Sequence, residues 1–242
     1  MNIFMKTMSK MESVVLDHKK RTVSVLDVIG MFVCTKNEAS VILHRMAKKG
    51  LLIRVKKGVY TKPEENSISV FSEVIKKYYF SFITALNFHG LTDQVPMIQI
   101  AATTEEYGRF LDIQMIKISE KKFFGFKCVE FQGAKIFMAD RERALLDSLE
   151  KPKYAGGIRH VIGCFKNKYY TEKLINYAFR INNMSLIRRL GYVLEYNKIK
   201  IPSHSERQML IKVKKVSFYT KLNISSESVF KNKKWMVVND VR

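Results

Sequence analysis

The sequence is poor in the residues that interrupt or cross-link a chain. Its 242 residues include 4 prolines and 11 glycines. That scarcity excludes a collagen-like or proline-rich linker protein, and 47% apolar residues are enough to bury a core rather than leave the chain disordered. The 3 cysteines, Cys34, Cys128 and Cys164, have no paired spacing. They argue against a disulfide framework and a thiolate metal site, and the odd count suits a reducing cytoplasm. Long apolar runs are missing as well. The greasiest stretch, Tyr78–Phe88, is too short to span a bilayer, and the opening MNIFMKTMSKM has no apolar signal core. No membrane association is expected. Acidic residues are the last scarcity, 22 Asp/Glu against 43 Lys/Arg, for a formal net charge of +21.

That charge is unevenly spread. Residues 1–66 hold 13 basic and 6 acidic side chains, residues 67–150 hold 10 and 11, and residues 151–242 hold 20 and 5. Two basic poles flank a neutral middle, so a lysine-rich composition alone does not account for the pattern. Like charges gathered in one place repel, and such poles usually face a polyanion or an acidic partner.

The first pole carries the most informative pattern, TVSVLDVIGMFVCTKNEASVILHRMAKKGLLIRVKKGVYTK, residues 22–62. A short helix fits Val25–Met31 and a turn Val33–Lys36. A second helix starts at Asn37 and stops at Gly50, which supplies the left-handed residue that ends a helix. Thr35 and Glu38 stand in S/T-x-x-E spacing, the capping box. Ala39, Ile42, Leu43 and Met46 form one apolar stripe. The other face shows Lys36, Asn37, Ser40, His44, Arg45 and Lys48, side chains suited to phosphates and base edges. Leu52–Val55 and Val59–Lys62 are expected strands around a Lys56-Lys57-Gly58 turn. Lys56 and Lys57 at the tip, with Arg54 and Lys62 on the arms, would make a basic wing able to lie on a phosphate backbone. Together these predict a winged helix-turn-helix binding double-stranded DNA. A winged helix that docks a protein without DNA is the alternative.

The whole chain is expected to be α+β: a winged helix-turn-helix over 1–66, then a larger mixed α/β domain over 67–242 with a basic helical C-terminal part. Residues 9–21 look like a lead-in helix, with Met11, Val14, Val15 and His18 near helical spacing. Residues 63–67 read as a link, and 69–77 as a helix belonging to it. A helix over 81–89, capped by Ser81, ends at His89-Gly90. Met97–Ala102, Ile113–Ile118, Phe126–Phe131 and Lys135–Met138 read as strands, with a Gln132-Gly133 turn. Asp140 caps a helix running to Leu149, in which Arg143 and Asp147 are spaced to pair. Gly156-Gly157 reads better as a turn than as a phosphate cradle. Helices are expected at Gly157–Phe165, Thr171–Arg180, Ser185–Tyr196 and Ser205–Lys214, and Trp235–Val238 as a strand returning to the sheet.

Three segments, ALNFHGLTDQVP at 85–96, RERALLDSLEKPKYAGGI at 141–158 and KKWMVVN at 233–239, make the chain resemble the AbiEi family, the antitoxins of abortive-infection (type IV) toxin–antitoxin pairs. The order of elements along nearly the whole chain matches too. The resemblance implies a cytoplasmic repressor of its own operon's promoter that also counters a nucleotidyltransferase toxin encoded nearby. In that setting Lys212, Lys214 and Lys215, and Lys231, Lys233 and Lys234, would be contact points for the partner.

An enzyme reading fares poorly. Asp112, Glu130 and Lys135 lie on or beside expected strands, but Glu130-Phe131-Gln132 lacks the acidic-x-Lys pairing of a metal-dependent nuclease. There is no phosphate-binding glycine loop and no nucleophile elbow. No catalytic residue, metal or cofactor is expected. A solitary regulator or a docking protein without an antitoxin role stays open as the alternative.

Overall fold

The computed structural model describes residues 10–105, 108–166, 170–215, 217–222 and 230–239. Helices and three sheets share the described chain, so the α+β class holds. No described helix is long and apolar enough to cross a membrane. The chain divides into two compact units, one of residues 1–76 with 110–112 and 130–136, the other of 77–109, 113–129 and 137–242.

The first unit opens with a helix, α1, over residues 10–16. It is shorter than the expected 9–21, whose residue 9 lies outside the described residues. Of its expected inner face, Val15 is fully buried while Val14 is exposed. Strand β1 (Thr22–Ser24), helix α2 (Val25–Met31), helix α3 (Lys36–Lys48) and strands β2 (Ile53–Lys56) and β3 (Val59–Thr61) follow. The strands form an antiparallel sheet in the order β1-β3-β2. β1 carries no alternation signal of its own and exists through pairing, Val23 opposite Tyr60.

Both helix starts are fixed by reciprocal caps. Thr35 N–H donates to Glu38 Oε2 at 2.7 Å and Glu38 N–H to Thr35 Oγ1 at 3.3 Å. Ser24 and Asp27 repeat the device at α2. Burial opposes ionisation of Asp27, but hydrogen bonds from Lys20 and Ser24 outweigh it and hold the carboxyl at about 2. The expected stripe Ala39, Ile42, Leu43 and Met46 is buried, closing a core with Val15, Val23, Val28, Leu52 and Tyr60. Helix α4 (Ser67–Val74), capped by Asn66, belongs to this unit, and its Glu73 Oε1 accepts from Arg21 Nη1 at 3.1 Å.

After residue 76 the chain continues through β4 (Tyr78–Phe80), α5 (Phe82–Phe88), β5 (Gln99–Thr103), β6 (Gly108–Phe110), β7 (Ile113–Lys117), β8 (Phe126–Phe131), β9 (Ala134–Ala139) and α6 (Arg141–Glu150). The six strands form a mixed sheet in the order β6-β7-β5-β4-β9-β8. β4 is antiparallel to β5 and parallel to β9, and β5 is parallel to β7. Helices α7 (Ile158–Cys164), α8 (Thr171–Ile181), α9 (Met184–Tyr196) and α10 (Ser203–Val213) follow.

The last expectation is corrected. Trp235 is not in a strand, and the strand after it does not return to the large sheet. Strand β12 (Val237–Asn239) joins a separate small sheet, parallel to β10 (Thr220–Lys221) and antiparallel to β11 (Phe230–Asn232). Trp235 lies in the turn before β12, fully buried. Its ring lies over Gly191 of α9, so close that a Cβ there would clash with it. The site supplies a slot for one aromatic ring, which edge pairing with the large sheet would leave empty.

Candidate functional site

The first unit carries an open concavity of about 820 Å³ between the outer face of α3, the start of α2 and the β2–β3 hairpin. Local folding sets its shape. The capping box starts α3 so that its apolar stripe turns inward, which leaves Lys36, Asn37, His44, Arg45 and Lys48 exposed. Val59 pairs with Lys56, and the hairpin closes through Lys57 and Gly58, whose φ of +74° is a left-handed value that glycine adopts without strain. Val25 N–H donates to Gly58 O at 3.1 Å and so ties the hairpin tip to the start of α2. The ladder is irregular between Arg54 and Lys56.

Seven of the ten side chains expected to meet DNA line this one surface: Lys36, Ser40, His44, Arg45, Lys48, Arg54 and Lys57. Asn37 and Lys56 are exposed and Lys62 is half-buried, all three outside the lining. Ser40 is partly committed to its own helix, its Oγ donating to Lys36 O at 2.8 Å. Glu38, an acidic residue on the same helix, is held at its start by Thr35, whose hydrogen bonds keep the carboxyl below its ordinary range. Six lining residues lie outside the expected ten: Ser24, Val25, Leu26, Val41, Gly58 and Tyr60. Leu26 and Val41 fall off the apolar stripes, which was the signal available.

The second unit distributes its proposed contact lysines differently. Lys214 and Lys215 are exposed at the end of α10. Lys212 Nζ donates to Asn182 Oδ1 at 3.1 Å and lies 5.0 Å from the Phe179 ring centroid. Lys233 is exposed, and Lys231 is exposed with its Nζ 6.0 Å from the Tyr219 ring centroid. Lys234 is engaged internally, bridging Glu195 at 2.6 Å and Glu206 at 2.9 Å.

Two of the three motif segments, 85–96 and 141–158, approach each other at Gln94 and Gly156, with His160 just beyond. Thr92 Oγ1 and His160 Nε2 are 2.7 Å apart, and His160 Nδ1 is 2.6 Å from Ala155 O. Gly156 has φ +75°, and a Cβ there would lie 2.9 Å from Gln94 Oε1, so this is a tight turn that requires glycine. His89 caps α5, with Nε2 2.7 Å from Ala139 O, and burial lowers its pKa. Asp112 and Glu130 are exposed. Among the described residues no three His, Cys, Asp or Glu side chains are grouped to hold a metal.

The fold is similar to that in the crystal structure of RV2827C protein from Mycobacterium tuberculosis, with a TM-score of 0.63 at 14% identity over 96% of this chain and 91% of that one. At that identity the likeness speaks for the fold alone. The sequence matches no protein-family model and no curated protein.

Proposed function

We propose that the first unit is a winged helix-turn-helix that binds double-stranded promoter DNA, with α3 as the reading helix and the β2–β3 hairpin as the wing. The observation that carries this is the concavity in which Lys36, Ser40, His44, Arg45, Lys48, Arg54 and Lys57 converge. Cations on both walls suit a phosphate backbone, and a helix face of mixed donors suits base edges. Arg45 would contact a guanine and Lys57 a phosphate.

The motif segments at 85–96, 141–158 and 233–239 support a second half of the proposal, an antitoxin of the AbiEi kind acting in the cytoplasm. It represses its own operon and counters a nucleotidyltransferase toxin encoded nearby, without catalysis of its own. Lys214 and Lys215, exposed just past the end of α10, and Lys233, also exposed, are the partner contacts proposed first.

The test is duplex binding by the full chain. Arg45→Ala should cost about 1–3 kcal/mol at the preferred sequence and relax sequence choice. Lys57→Ala should weaken all duplexes alike and reduce the salt dependence. Unchanged binding in both variants would reject the interface. For the second half, co-expression with the neighbouring toxin scores growth: charge reversal at Lys214 and Lys215 should impair suppression more than DNA binding. Metal-dependent cutting of DNA by the pure chain, abolished by Asp112→Ala or Glu130→Ala, would overturn the non-catalytic reading.

A further inference from the structure

Two side chains in the concavity are not explained by its basic character. Val41 stands on the outward face of α3, one turn after Asn37 and one turn before Arg45, with 46% of its surface exposed. Leu26, on α2, lines the same concavity and is 76% exposed. The core of the unit closes without either of them. Two apolar groups from different helices therefore share one open surface with Lys36, His44 and Arg45.

We infer that Val41 and Leu26 read thymine, placing their methyl groups against thymine C5-methyl groups in the major groove. The inference rests on the concavity being a DNA interface. In that groove each base pair shows a distinct pattern of donors and acceptors, and thymine adds a methyl group that only an apolar side chain rewards. The neighbours on α3 are matched to the other bases: Asn37 to adenine N6 and N7, Arg45 to guanine O6 and N7. Val41 lies between them along the helix. The preferred duplex thus carries a thymine within the stretch that Asn37 and Arg45 span, and a second thymine under Leu26. Both side chains are exposed in the free protein, so their burial on DNA adds apolar contact that phosphate binding alone does not supply.

The experiment selects the preferred duplex of the full-length chain from a random-sequence pool. Each thymine of that duplex is then replaced singly by deoxyuridine, which removes the methyl and keeps every hydrogen-bonding group. Wild-type affinity should fall about three- to fivefold at one or two positions, the effect of one buried methyl. Val41→Ala should lose the sensitivity at one of these positions and Leu26→Ala at the other, with thermal melting unchanged. Should Val41→Ala fail to fold, Val41→Gln, a good helix former with no methyl group, takes its place. A duplex bound selectively that tolerates deoxyuridine everywhere overturns the thymine inference and leaves the DNA reading standing. Sensitivity that persists unchanged in both variants overturns the assignment to these residues. A pool that yields no preferred duplex overturns both.

Discussion

Arg143 and Asp147, one turn apart on α6, form an ion pair sealed from solvent, with Nη2 2.7 Å from Oδ1. Asp147 Oδ2 also accepts from Arg143 Nε at 3.2 Å, Tyr79 Oη at 3.1 Å and Ser81 Oγ at 2.7 Å. The guanidinium lies 4.8 Å from the Phe124 ring centroid. Burial works against its charge, but the adjacent Asp147 carboxylate prevails and raises the arginine's pKa. The pair joins α6 to β4 and the residue after it, and so to the large sheet.

A buried pair of this kind is expensive to break and cheap to replace whole. Asp147→Ala should destabilise the chain by about 3–5 kcal/mol, while Arg143→Met with Asp147→Leu should cost much less. Urea unfolding of the two variants decides between these outcomes. A single-variant cost below about 1 kcal/mol would show that the pair contributes little beyond its own desolvation.

Gly191→Ala should displace the Trp235 ring, because the added methyl meets it directly. Overpacking of this sort costs about 1–3 kcal/mol. Trp235 is the sole tryptophan, so its fluorescence reports the displacement as a red shift. An unshifted spectrum with unchanged stability would mean that the slot can relax.

His89 should make the chain acid-sensitive at mild pH. Burial lowers its pKa from 6.5, so the folded form prefers the neutral ring. Below pH 6.5 the unfolded chain binds the proton first, and stability therefore falls as pH drops from 6.5 to the lowered value, then levels off. Melting temperatures across that window should decline in wild type and flatten in His89→Asn. Parallel curves for the two proteins would assign the sensitivity elsewhere.

Thr35→Ala removes the side-chain half of the α3 capping box and should cost about 1 kcal/mol. Thr35→Ser should restore it. Thermal melts of the three proteins provide the check, and equal stability of the alanine variant would show that Lys36 and its neighbours start the helix unaided.

Helix α3 was legible in the sequence because its determinants are local: Thr35 to Glu38 for the cap, and a stripe repeating within one turn. Its start moved by one residue, to Lys36. The helices α7 to α10 were legible for the same reason, with no end displaced by more than two residues. The short strands β1, β4, β6, β10 and β11 were not. Thr22–Ser24 is too short to alternate, and Tyr78–Phe80 is buried at every position, so neither shows a period of two. β1, β4 and β10 become strands only by meeting partners distant in sequence. The donor face of the concavity could be anticipated from residue type. Val41 stands off the stripe of Ala39, Ile42, Leu43 and Met46, a signal the sequence holds, but only the packed unit shows that it and Leu26 line one surface.

The small sheet at residues 220–239 bears on when the helical part can mature. The slot at Gly191 is filled by Trp235, and Lys234 joins Glu195 on α9 to Glu206 on α10. Strand β10 cannot find its parallel neighbour until β12 has been synthesised. During translation α9 and α10 must therefore wait, with a vacant groove and two unpaired glutamates, for a segment that arrives some forty residues after Glu195. Until residues 230–239 emerge this layer stays open, which leaves its apolar groove exposed to chaperones and proteases during synthesis.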